Sequence, residues 1–171
     1  MNFSLEKDKI YILQFLEAIR KMVKKVISKK IELKVKKLNN RAILPEYALD
    51  SDICFDVRAI ETENLKPFEQ KEIRTGFAME IPAGYVGLVR DRAGIVTKLG
   101  SHVIAGTFDP SYREEVTILV INFGPDEIQI EEGMKIAQIL ILPINKLEIK
   151  EVKELSKTKR AGRKFGSTGL R

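Results

Sequence analysis

At Ile31 the hydrophobic rhythm of this chain changes from helical to strand-like, and that change constrains the fold more than any other feature. Ile31-Glu32-Leu33-Lys34-Val35-Lys36 alternates apolar and polar residues one by one. In an extended chain such alternation sends the apolar set to one face and the polar set to the other. Short runs rich in β-branched residues follow at 53–59, 77–81, 85–89, 116–122, 128–130 and 136–142. Turn residues separate them: Pro45, Pro67, Pro82-Ala83-Gly84, Asp109-Pro110-Ser111, Gly124-Pro125-Asp126 and Glu132-Gly133. Many short strands with Gly and Pro turns predict an all-β domain, an antiparallel sandwich or barrel of the jelly-roll kind.

Upstream the period is helical. Ile12, Leu16, Ile19, Val23 and Val26 recur at spacings of four and three, with Lys and Arg filling much of the opposite face. Such a stripe docks on the domain, self-associates, or lies on an anionic membrane surface, and membrane contact ranks last. The expected organisation is a basic amphipathic helix at 1–30, a β domain at 31–150 and a flexible polar arm at 151–171.

Charge and cysteine content exclude several function classes. Of a net +6, residues 1–40 carry eleven cations against four acids, so the remainder sums to −1. The basicity sits at the ends, and the body offers no nucleic-acid-binding face by charge alone. One Cys and one His exclude an internal disulfide, a Cys/His zinc cage and a His-based triad within one chain. No apolar run reaches the ~18 residues of a membrane span, and no secretory leader is evident. The expected compartment is the cytoplasm.

Five stretches carry chemistry. In Thr107-Phe108-Asp109-Pro110-Ser111-Tyr112-Arg113, Asp109 either caps a turn or orients and deprotonates a water, and Tyr112 either fills the core edge or lends its face to a sugar or base. In Val89-Arg90-Asp91-Arg92-Ala93-Gly94, Arg92 can clamp a phosphate and Gly94 permits close backbone approach. The acids Asp50, Asp52 and Asp56 suggest handling of a divalent cation through water; for Asp50 and Asp52 a solvated loop is the preferred reading. Gln138 enters an apolar run and needs a hydrogen-bond partner, from backbone or ligand. The end of the chain, from Lys159 to Gly169, sets Phe165 among cations, hydroxyls and glycines. It reads either as a disordered basic tail or as a segment suited to a phosphate ester and a flat base.

Taken in order, these stretches resemble the five motifs of the trimeric dUTP diphosphatases (dUTPases), from about Ile31 to Arg171. Residues 42–48, and the stretch from Thr75-Gly76 through Ile81-Pro82-Ala83-Gly84-Tyr85, are similar to the family's connecting segments. Asp56 matches the first motif. Arg92, Ala93 and Gly94 match the second, and Gly106, Thr107, Phe108, Asp109 and Tyr112 the third. Gly133 and Gln138 match the fourth, and Arg160 with Phe165, Gly166, Ser167, Thr168 and Gly169 the fifth.

The resemblance implies a jelly-roll homotrimer with shared sites, in which motifs one, two and four come from one subunit, the third from a neighbour and the tail from the remaining one. It implies hydrolysis of dUTP to dUMP and pyrophosphate with Mg2+. Asp109 would activate the water, Asp56 would meet the metal indirectly through water, and Arg92, Gln138 and Arg160 would face the phosphates. Backbone groups near Gly106 would read the uracil, Tyr112 would lie under the deoxyribose, and Phe165 would stack on the base.

The chain departs from the family pattern with Ala93 for Ser, Cys54 for a small residue, Glu114 for Gly, and Ala161, Arg163 and Lys164 for tail glycines. Two rival readings are a dCTP deaminase-related enzyme and a nucleotide-binding regulator with weak catalysis. The first is disfavoured because Thr117-Ile118-Leu119-Val120-Ile121-Asn122 lacks an acid.

Overall fold

A computed structural model describes residues 14–17, 19–21 and 31–158. Residues 14–17 and 19–21 are helical, with Phe15, Leu16 and Ile19 exposed. The rest of the expected N-terminal helix, and the arm from Lys159 onward, lie outside the described residues.

The β domain runs β1 (Lys34–Lys37), β2 (Phe55–Arg58), β3 (Glu63–Leu65), β4 (Gln70–Glu80), β5 (Tyr85–Arg90), helix α1 (Ala93–Leu99), β6 (Ser101–Ile104), β7 (Thr107–Phe108), β8 (Glu115–Asn122), β9 (Ile128–Ile130) and β10 (Lys135–Pro143). Two four-stranded sheets, ordered β1-β4-β8-β6 and β2-β10-β5-β7, and a β3-β9 ribbon make up the fold. Every strand pair is antiparallel, as the expected jelly-roll architecture requires.

The core follows from the alternation. Along β8, Val116, Ile118, Val120 and Asn122 are buried while their neighbours are half-buried. The three apolar ones meet Ile73, Phe77 and Met79 of β4 and Val57, Ala137 and Ile139 of the other sheet in one hydrophobic cluster. Burying each such aliphatic side chain contributes about 1.5–3 kcal/mol, enough to set strand register because a one-residue slip would expose the whole set.

Asn122 is the polar member of this layer. Its amide nitrogen donates to the Leu65 and Asp126 carbonyls at 3.1 and 2.8 Å, and its Oδ1 accepts from Gly124 N–H at 2.8 Å. It thereby ties the end of β8 to β3 and to the following turn.

Candidate active site

Strand β10 organises the site. Gln138 lies opposite Asp56 of β2 on one side and Arg90 of β5 on the other. Asp56 is fixed by its backbone, since its N–H donates to the Glu46 carbonyl at 2.8 Å. The Gln138 amide donates to the Asp91 carbonyl at 2.8 Å, which supplies a backbone partner for this half-buried amide. The Asp91 carboxylate in turn accepts from Val103 N–H at 2.7 Å and meets His102 Nδ1 at 3.1 Å. The segment that carries Arg92 is therefore held on both sides.

Arg92 ends that segment as the N-cap of α1, with no side-chain cap bond of its own. Its guanidinium turns back over the sheet. Arg92 Nε lies 2.8 Å from Asp56 Oδ1, and Lys135 Nζ lies 2.6 Å from Asp56 Oδ2. Asp56 is only 7% exposed. Although Lys135 is so close, Asp56 Oδ2 accepts no hydrogen bond, so that contact is an ion pair without directed geometry. One buried carboxylate thus faces two partly buried cations, and the cluster carries a net positive charge.

These residues open on a cleft of about 390 Å3 lined by Ala48, Asp52, Ile53, Cys54, Asp56, Arg92, Ala93, Gly94 and Gln138. A Cβ built on Gly94 meets nothing within 4 Å, so packing inside this chain does not demand glycine there. Ala93 and Gly94 occupy the first turn of α1, where backbone N–H groups have no intrahelical acceptor. Cys54 has its thiol pushed above the ordinary range, first by burial and then by the neighbouring Asp52 charge.

The third-motif residues are elsewhere on the chain. β7 is the edge strand of the same sheet, and β2 is the opposite edge. Three strand spacings of ~4.8 Å separate the two edges by roughly 14 Å. Gly106 packs against β5: a Cβ there would come within 2.9 Å of Val89 Cβ, and its carbonyl accepts from Val89 N–H at 2.8 Å. Thr107 therefore pairs with Leu88 in the non-hydrogen-bonded phase and turns its own N–H and C=O to the open edge. The Phe108 ring is buried and sits 5.2 Å from Tyr112, whose hydroxyl donates to the Glu115 carbonyl at 2.8 Å. By the same alternation Phe108 pairs with Gly87 in the hydrogen-bonded phase, so its backbone groups face β5 and the open edge is left to Thr107. Asp109 is exposed at the turn that follows, closed by Tyr112 N–H on its carbonyl.

Asp56, Arg92, Ala93, Gly94 and Gln138 thus converge, while Gly106, Thr107, Phe108, Asp109 and Tyr112 form a second surface. Gly133 shapes the turn into β10, with φ +81° and its carbonyl held by Arg58 at 2.9 Å. Arg160, Phe165, Gly166, Ser167 and Thr168 lie outside the described residues. Two cleft features escaped the sequence reading, the thiol of Cys54 as a wall and Lys135 as the partner of Asp56. Lys135 stands three residues before Gln138, a separation that places it on the opposite face of a regular strand, and only a bulge reverses this.

The sequence model of the dUTPase family matches residues 40–169. The protein named deoxyuridine 5'-triphosphate nucleotidohydrolase from Clostridium novyi is 42% identical over 142 residues, covering 82% of this chain and all of that one. Its namesake from Nautilia profundicola is 43% identical over 141 residues, covering 81% of this chain and 99% of its own length. Among solved structures, a Staphylococcus bacteriophage 80alpha dUTPase mutant with dUpNHpp superposes with a TM-score of 0.77 at 30% identity, over 82% of this chain and all of that one. A mutant dUTPase of the S. aureus phage phi11, whose structure shows coordination of a structural Mg(II) ion, gives 0.70 at 30% identity, over 74% and 99% of the two chains. By sequence and by fold, this chain belongs to the dUTPase family.

Proposed function

We propose that the protein hydrolyses dUTP to dUMP and pyrophosphate at a site completed by three subunits. The observation that carries this reading is the cleft itself: in a chain of this family, the first, second and fourth motifs meet around one pocket where Arg92 and Lys135 flank the buried carboxylate of Asp56. Arg92, the Gln138 amide and the N–H groups that open α1 face a polyanion there. Gly94 leaves room for its oxygens.

The water-activating carboxylate is Asp109. Its position on the far edge of the sheet supports a neighbour's Asp109 completing each cleft. The free N–H and C=O of Thr107 suit the edge of uracil. The Tyr112 phenol is pushed up, chiefly by burial and further by Glu114, so it stays neutral beside the sugar. The arm would bring Arg160 and Phe165 over the bound nucleotide and exclude water.

Trimer assembly is further supported by the stretch after β10. Ile144, Leu147, Ile149, Val152 and Leu155 are all exposed, Ile149 at 98%. An apolar row of this kind on a single subunit calls for a covering surface, and a second copy supplies one.

A divalent cation fits the site only in one way. No cluster of three or more acidic or His/Cys ligands exists among the described residues, and Asp56 is already engaged by two cations. Its Oδ1 becomes the free acceptor once Arg92 turns to the phosphates, which suits a water on an ion that arrives with them. When bound, Mg2+ supplies neutralisation of phosphate charge.

Purified protein offered each deoxynucleoside triphosphate and UTP with Mg2+ should release pyrophosphate from dUTP alone. Asp109→Asn and a chain ending before Arg160 should each lose that activity by about two orders of magnitude or more. Activity that survives both changes would overturn the assignment, and EDTA should abolish turnover in the wild type.

A further inference from the structure

We propose that Lys135 is a positioning residue that lets Arg92 leave Asp56 and engage the substrate's phosphates. The inference rests on reading the cleft as the triphosphate site. In the structure, Arg92 is held: Nε lies 2.8 Å from Asp56 Oδ1 and NH1 donates to the Lys135 carbonyl at 3.4 Å. A guanidinium bound to a carboxylate must be released, wholly or in part, before it can fork onto phosphate oxygens. Release would strand the charge of Asp56, a residue 7% exposed, and an unpaired buried charge is strongly unfavourable. Lys135 removes that obstacle because its Nζ sits 2.6 Å from the other carboxylate oxygen. When Arg92 swings away, Asp56 keeps a cation and the pair left behind is neutral.

The backbone is built to put Lys135 there. The pairing of β10 with β2 runs Lys135 opposite Arg58, then Ala137 opposite Val57, so one extra residue is inserted between them. Without that bulge, Lys135 and Gln138 would project to opposite faces. With it, the Lys135 side chain comes to the same carboxylate that lies opposite Gln138. The bulge follows directly on the Gly133 turn, whose carbonyl is held by Arg58 Nη1 at 2.9 Å and whose N–H donates to Ala59 at 2.8 Å. Arg58 also pairs with Glu46 at 2.9 Å, beside the Glu46 carbonyl that fixes Asp56. The bulge and the carboxylate therefore share one anchor.

The test measures calorimetric affinity for the non-hydrolysable imido analogue of dUTP and for dUMP. The proteins are the wild type, Lys135→Met, Lys135→Gln and Lys135→Arg, each also combined with Asp56→Asn. Loss of the lysine charge should weaken triphosphate-analogue binding by at least about tenfold, with dUMP affinity changed less than about threefold. Lys135→Arg should restore the wild-type value. In the Asp56→Asn background, where no charge is left to strand, removing Lys135 should change binding by less than about threefold. Undiminished binding by Lys135→Met and Lys135→Gln would overturn the inference. So would an equal loss in the Asp56→Asn background, or failure of Lys135→Arg to rescue, because the lysine would then serve the phosphates directly or the fold alone. If the wild type bound no analogue, the reading of the cleft would fail instead, independently of Lys135.

Discussion

Cys54 reports on the cleft from inside it, being the chain's one thiol and sharing a wall with Arg92 and Gln138. Burial and the Asp52 charge raise its pKa above the ordinary thiol value, and only the thiolate reacts with an alkylating reagent. Iodoacetamide should therefore modify the protein slowly at neutral pH, with a rate that keeps rising through pH 9 rather than levelling there. Bound imido analogue should slow it further. A rate that plateaus below pH 8, or that ignores the nucleotide, would place the thiol outside the occupied cleft.

Ala93 gives a second residue-scale outcome. A hydroxyl at this position would add one charge-assisted hydrogen bond, worth about 1.5–3 kcal/mol, so Ala93→Ser should raise kcat by roughly tenfold or more. An unchanged kcat would show that the backbone N–H groups already suffice. Phe68 is a third case. It holds φ +62° with its ring 72% exposed, a conformation that costs a bulky residue about 1–2 kcal/mol. Phe68→Gly should leave activity intact and raise the thermal midpoint, and a lowered midpoint would mean the ring has a partner in the assembly.

At the scale of elements, β8 and β10 carry the molecule. Asn122 satisfies three groups at the end of β8, and Asn122→Ala would leave the buried Leu65 carbonyl and the part-buried Asp126 carbonyl short of a donor. The expected loss is about 1–3 kcal/mol for such unsatisfied groups, read as a lower denaturation midpoint at unchanged slope. The same scale shows what the sequence disclosed. The run at 116–122 announced β8 because it is rich in β-branched residues and bounded by turn residues, and 128–130 coincided with β9. By contrast, β4 begins at Gln70, well before the run read at 77–81. Its early residues Gln70, Lys71, Glu72 and Arg74 dilute the signal, although Ile73 and Thr75 point inward. The two-residue β7 and the seven-residue α1 are too short for periodicity to register, and tertiary pairing defines them. Motif chemistry, not pattern, marked Arg92, Asp109 and Gln138. Nothing local marked Lys135, because the bulge that aims it depends on contacts of Arg58 with Gly133, 75 residues away.

At the scale of the whole molecule, the subunit reads as incomplete. It presents a cleft of mixed charge near one side of a sheet, a carboxylate and a free backbone edge at β7 on the other, and an apolar row after β10 with no cover among the described residues. Among the described residues no helix is long and apolar enough to cross a membrane. The neutral body and basic ends leave assembly to shape and apolar contact rather than to net charge.

Subunit complementation tests this account most directly. Asp109→Asn and Arg92→Ala chains, each inactive alone, are unfolded together, refolded as a mixture and assayed on dUTP. If each cleft takes its carboxylate from a neighbour, random trimers contain sites with both wild-type residues, and activity should recover to about a quarter of the wild-type level. Activity that stays at the sum of the two separate variants would contradict the shared site.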